Sequence, residues 1–97
     1  MVIIKEATLN DYGKEYPDAA AALKEWSKKV LAADWQHFQD VKKTFNSADY
    51  AGNDRYVFDI KGNQFRLIVL IIFRRRTLFI RFFGTHAEYD KIDASQI

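Results

Sequence analysis

The apolar positions of this chain change period about halfway along. Ala19, Ala22, Leu23, Trp26, Val30 and Ala33 recur three or four residues apart, the stripe of an amphipathic helix. Pro17 suits the first turn of such a helix, where its missing N–H costs nothing. The spacing predicts a helix over about 17–33, with Lys24, Glu25, Lys28 and Lys29 facing water or a partner. Upstream, MVIIK reads as a short strand, and ATLNDYGKEY as a short helix with Thr8 as N-cap and Gly13 as breaker. DWQHFQDVKKTFNSADYAGND is mixed: one helical turn over Val41–Phe45 is expected, with NSAD and GND as loop signals.

Beyond residue 54 the pattern is that of strands. RYVFDIK, QFRLIVLIIF and TLFIRFF are rich in β-branched and aromatic residues. Gly62–Asn63 lies between the first two and predicts a hairpin, with Lys61 opposite Gln64 and Asp59 opposite Arg66. LIVLIIF is apolar on both parities, so its strand should lie centrally, covered on both faces. Arg74–Arg76 makes the next turn. A two-residue turn there sets Arg81 opposite Leu70, on the face of Arg66; a three-residue turn sets it opposite Val69, on the other face. After Gly84, Thr85 can cap a short helix containing HAEYD. The expected architecture is α+β, in one domain over residues 1–97. Two N-terminal helices pack on an antiparallel sheet of three or four strands, with the first strand at its edge and a short C-terminal helix.

Composition removes several kinds of chemistry. There is no cysteine, which excludes disulfides, thiolate zinc sites and cysteine nucleophiles. His37 and His86 are the only histidines, and no spacing of His, Asp and Glu matches a metal-ligand set. The glycines are dispersed and make no phosphate loop. Ser27, Ser47 and Ser95 lack a nucleophile-elbow context. The longest apolar run, Leu67–Phe73, is too short to cross a bilayer, and the N-terminus lacks a basic leader. A soluble intracellular protein with no membrane partner is expected.

Charge is unevenly spread. Residues 1–54 carry seven Lys and nine Asp/Glu, whereas residues 55–97 carry eight Lys/Arg and four Asp/Glu. No acid occurs from Ile60 to Ala87, a stretch holding Lys61, Arg66, Arg74, Arg75, Arg76 and Arg81. Such a stretch points either to an anionic partner or to a solvated basic face. A strand arginine beside apolar neighbours either pairs with an acid, as Arg66 with Asp59, or binds phosphate through its fork of donors. Arg74–Arg76 can guard an aggregation-prone strand or attract RNA at long range. His86, Tyr89 and Asp90 stand at i, i+3 and i+4 and share a helix face. Asp90 can then orient His86 for proton transfer; the alternative is a capped helix with a core tyrosine and a surface aspartate.

VFDIKGNQFRLIVLI and FIRFFGTHAEYDKI, together with YPDAAAALKEWSKKV and ADW, resemble the HigB toxin family of the RelE superfamily over nearly the whole chain. The resemblance implies a RelE-like fold and a bacterial, cytoplasmic, ribosome-dependent mRNA interferase with no cofactor. In that chemistry the ribose 2′-OH attacks the neighbouring phosphodiester. It implies Arg66 on the phosphate, His86 as acid/base or charge stabiliser, Tyr89 stacking or assisting proton transfer, and Lys61 as second cation or base. Asp90 would support His86, and Arg81, Arg74, Arg75 and Arg76 would bind RNA. Asp59 departs from the more basic strand of several relatives, and a pair with Arg66 would weaken the phosphate site. The implied partners are mRNA, the ribosomal A site and a HigA-like helix-turn-helix antitoxin, with operator DNA reached only through that antitoxin. A non-catalytic RNA or ribosome binder and a ParE-like gyrase inhibitor are the competing expectations.

Overall fold

The computed structural model describes residues 1–97. In chain order the elements are β1 (Val2–Ile4), α1 (Ala7–Glu15), a 3-10 turn at Pro17–Ala19, α2 (Ala20–Ala32) and α3 (Phe38–Thr44). Then come β2 (Asp49–Gly52), β3 (Arg55–Ile60), β4 (Phe65–Ile72), a second 3-10 turn at Phe73–Arg75, β5 (Thr77–Thr85) and α4 (His86–Tyr89).

The sheet has five strands in the order β1-β5-β4-β3-β2, more than the three or four expected. The extra strand is β2, which falls where NSAD and GND signalled loop. Tyr50 lies opposite Tyr56, and a register shift between Tyr50 and Gly52 leaves Ala51 as an extra residue. β1 takes the other edge and runs parallel to β5, with Val2 opposite Thr77. The remaining pairs are antiparallel.

β4 is the middle strand, and Leu67, Ile68 and Val69 are all fully buried. Successive side chains on a strand point to opposite faces. Phe65, Leu67, Val69 and Ile71 face the helices and join Tyr56, Phe58 and Ile60 of β3 in the main core. Leu23, Trp26 and Val30 of α2 cover them, as the helical stripe predicts. The opposite face carries Arg66 and Ile68, with Asp59, Val57 and Arg55 alongside on β3. The last residues cross that face: Asn53 Nδ2 donates to the Ser95 carbonyl at 3.0 Å, and Arg55 Nε to the Ile97 main-chain oxygen at 2.8 Å.

Three local expectations change. Helix α1 begins at Ala7 after Glu6, with no side-chain cap, so Thr8 lies within its first turn. Gly13 lies inside α1 rather than ending it. A Cβ added there would stand 3.2 Å from Ala20 Cβ, so glycine lets α1 and α2 approach closely. α3 runs over two turns because Val41 is buried on its inner side and the Trp35 Nε1 donates to Thr44 Oγ1 at 3.0 Å.

An aromatic cluster centres the core. The Phe58 ring meets Trp26 and Phe45 edge-on, each at 5.3 Å between centroids, and is 1% exposed. Phe58→Ala is expected to destabilise the fold by about 3–5 kcal/mol, since the rigid neighbours cannot collapse into the space. Urea unfolding of the two proteins checks this.

Candidate active site

The β3–β4 turn and the end of β5 meet at one corner of the sheet. Asp59 lies opposite Arg66, as the hairpin reading requires. The strands end at Ile60 and Phe65, and the Gln64 N–H closes the turn on the Lys61 carbonyl at 3.3 Å. Arg66 in turn lies opposite Gly84 of β5, two residues before His86. The His86 N–H then donates to the Gln64 carbonyl at 3.1 Å, tying α4 to the turn. Arg66, His86, Tyr89, Asp59 and Asp90 are thereby collected at this corner.

Arg66 is gripped by one end of its guanidinium. Nη1 lies 3.1 Å from Asp59 Oδ1 and donates to the Asn63 carbonyl at 3.0 Å and, more weakly, to that of Phe65 at 3.4 Å. Nη2 and Nε have no partner within the chain. The Arg66 side chain is 14% exposed, and its Cζ stands 5.9 Å from the centre of the Tyr89 ring. The Asp59 pair fixes the group and still leaves a face of donors for an anion.

His86 Nδ1 lies 3.0 Å from Asp90 Oδ2. An ionised carboxylate only accepts hydrogen bonds, so Nδ1 carries the proton. In the neutral ring Nε2 is then the basic nitrogen, and it is bonded to nothing in the chain. The His86 side chain is 48% exposed, so Nε2 can reach a bound molecule.

Four residues are too few to hold a helix by themselves. Thr85 and Glu88 hold α4 with a capping box: Glu88 N–H donates to Thr85 Oγ1 at 3.2 Å, and Thr85 N–H to Glu88 Oε1 at 2.8 Å. The Tyr16 hydroxyl, just after α1, donates to Glu88 Oε1 at 2.9 Å. Beneath it the rings of Phe65 and Phe83 stack at 5.3 Å, and Tyr16 meets both edge-on. Tyr16 and Glu88 thus clamp α4 to the body, a role the sequence reading missed. The T-x-x-E spacing of Thr85 and Glu88 signals the box, but nothing local signals Tyr16.

The clamp has a pH signature. The Thr85 N–H, and after it the Tyr16 hydroxyl, hold the Glu88 carboxyl below its ordinary 4.5. Its contribution is full above that value and is lost as pH falls through the lowered one. The bond to Glu88 pushes the Tyr16 hydroxyl up to about 12 from 10.0. That contribution is present below 10.0 and is lost as pH rises toward 12. Burial also raises Tyr12 and Tyr56. Tyr16→Phe should therefore flatten only part of the alkaline loss in thermal melts taken across this range.

The other sequence-predicted residues stand outside this cluster of five. Lys61, in the turn itself, has φ 54° and no ion pair; it borders a small hollow with Trp26, Lys29 and Phe45 on the helix side. Arg74–Arg76 sit at the far end of β4, roughly 25 Å away along the strand. Arg76 is paired there with Asp34 at 2.6 Å, while Arg74 and Arg75 are exposed. Arg81 follows neither register expected for it. The turn spans residues 73–76, Ile80 lies opposite Val69 and Phe82 opposite Ile68, and Arg81 is the extra residue of a bulge. The largest concavity, about 940 Å³ between α1 and α2, contains none of these residues.

The corner thus combines a fixed guanidinium with open donors, an imidazole with a free basic nitrogen, and an aromatic ring. That set can hold a phosphodiester and move a proton beside it. The family described as HigB_toxin, RelE-like toxic component of a toxin-antitoxin system, matches residues 19–92. The chain is 31% identical to the mRNA interferase HigB of Escherichia coli O6:H1 over 94 residues, 95% of this chain and 91% of that protein. It is 27% identical to the mRNA interferase toxin HigB of Escherichia coli K12, covering 93% of this chain and 88% of that one. The mRNA interferase HigB of Shigella flexneri gives the same figures, 27%, 93% and 88%.

Proposed function

This chain belongs to the HigB toxin family, the RelE-like toxic component of a toxin–antitoxin system, and from that premise we propose that it is a ribosome-dependent, metal-free endoribonuclease that cuts translated mRNA. The observation that carries this reading is the pairing of two prepared groups at one corner. Arg66 offers unused Nη2 and Nε donors, and His86 offers a free Nε2.

In the proposed reaction the ribose 2′-OH attacks the adjacent phosphorus. His86 Nε2 takes the hydroxyl proton, and Asp90 balances the imidazolium that forms. Arg66 binds the non-bridging oxygens, whose negative charge grows in the phosphorane. The 5′-oxygen departs with the proton that the imidazolium gives up, leaving a 2′,3′-cyclic phosphate and a 5′-OH. Tyr89 stacks on a neighbouring base, with Arg66 over its other side. Lys61 adds a second cation from the turn, and exposed Arg74 and Arg75 add long-range attraction.

The catalytic set is small, and free mRNA is flexible. A codon held in the ribosomal A site arrives already bent toward in-line attack, which supplies the orientation this corner lacks. Toxicity of this kind requires restraint, and a HigA-like helix-turn-helix antitoxin is the proposed partner. Operator DNA would be contacted only through it. Primer extension on translating mRNA tests the reading: discrete new 5′-ends should follow induction of the chain and vanish with His86→Ala. Growth arrest beside intact transcripts would overturn it.

A further inference from the structure

Arg55 and Arg81 converge on a single oxygen. Arg55 Nε donates to the Ile97 main-chain oxygen at 2.8 Å, and Arg81 Nε to the same atom at 3.2 Å. Neither arginine is paired with an aspartate or glutamate side chain, unlike Arg66 with Asp59 and Arg76 with Asp34. Two cations from different strands therefore share one acceptor oxygen. That is a good geometric match for a tetrahedral anion, since two guanidinium forks reach one point.

Both groups lie on the face of Arg66. Arg55, Val57 and Asp59 alternate along β3 to that side, and Asp59 faces Arg66 directly. The bulge in β5 turns Arg81 toward the oxygen that Arg55 binds. Four residues separate Arg55 from Asp59, about 13 Å along the strand. A short single strand of RNA laid across the face can touch both positions. What covers Arg55 and Arg81 is a light strap. Asn53 Nδ2 donates to the Ser95 carbonyl, and Asp93 Oδ1 accepts from the Ser95 N–H and hydroxyl at 3.0 and 2.6 Å.

We propose that Arg55 and Arg81 form a second phosphate site for the RNA backbone, and that the 93–97 segment occupies it until RNA displaces it. This rests on the preceding reading, in which the phosphodiester to be cut lies at Arg66. The strap oxygen stands in for a phosphate oxygen, so binding exchanges one acceptor oxygen for another at the same point.

The test uses the full chain and a non-cleavable 2′-O-methyl RNA octamer, with binding followed by fluorescence anisotropy. Asn53→Gly with Ser95→Pro loosens the strap without altering charge, and glycine suits the φ of 52° at position 53. Affinity should rise about tenfold. The slope of log K on log salt should steepen by about 0.7, one additional phosphate. Adding Arg55→Ala and Arg81→Ala should abolish both gains. A gain that survives the two alanines overturns the site. As a second measurement, saturating RNA should shift the Nε–H resonances of Arg55 and Arg81 in the unsubstituted chain; unmoved resonances also overturn it. Arg66→Ala, assayed for mRNA cleavage, separates the two readings. If it cleaves normally the catalytic assignment fails, whereas loss of cleavage with silent Arg55 and Arg81 sinks only the second site.

Discussion

His86→Ala is expected to lower mRNA cleavage by about 10²–10⁴-fold, the usual worth of a positioned proton-transfer group. The fold should survive. The side chain is half exposed, its ring bonds only Asp90, and the contact that docks α4 on the turn uses the main-chain N–H. Alanine is also a good helix former. Single-turnover cleavage on programmed ribosomes, with thermal melts of both proteins, separates chemistry from stability. Asp90→Asn should act through the imidazole: it removes the carboxylate partner that fixes the tautomer, while leaving Nε2 in place. Its loss should be smaller than that of His86→Ala. An equal loss in both would mean that Asp90 itself touches the substrate.

Arg66→Ala should lower cleavage by about 10²–10³-fold, as does removal of a donor to a developing oxyanion. Here structure and chemistry are entangled. The substitution also leaves Asp59 without its partner at the site, an added negative charge facing the phosphate. Arg66→Ala with Asp59→Ala is therefore the cleaner comparison, because it removes the grip and the guanidinium together. If Asp59 merely quenched Arg66, Asp59→Ala alone would raise activity. If it positions the group, as the single-ended grip implies, Asp59→Ala lowers it. Arg66→Lys should recover little, since an ammonium cannot be held at one nitrogen and donate from two others.

The α2 stripe was legible because burial there is continuous and the period is regular. The Asp59–Arg66 register was legible because Gly62–Asn63 marks the turn from either side. His86, Tyr89 and Asp90 could be read as one face because helical spacing fixes it. Other features depend on distant partners. β2 is strand-like only when β3 lies beside it, so its Asp and Gly read as loop. The position of Arg81 turns on a bulge, which has no local signature in TLFIRFF. Tyr16 reaches Glu88 across most of the chain, and no window contains both. Gly13 was misread because its role is a close approach between helices, not a turn.

The parallel pairing of β1 with β5 has a bearing on how the protein is made. Val2–Ile4 leave the ribosome well before their partners Thr77–Phe79, which lie on the far side of every other element of the sheet. The candidate site waits for the same strand, since Arg66 pairs with Gly84 of β5 and His86 directly follows it. Vectorial synthesis therefore yields a chain whose sheet cannot be completed until β5 has emerged.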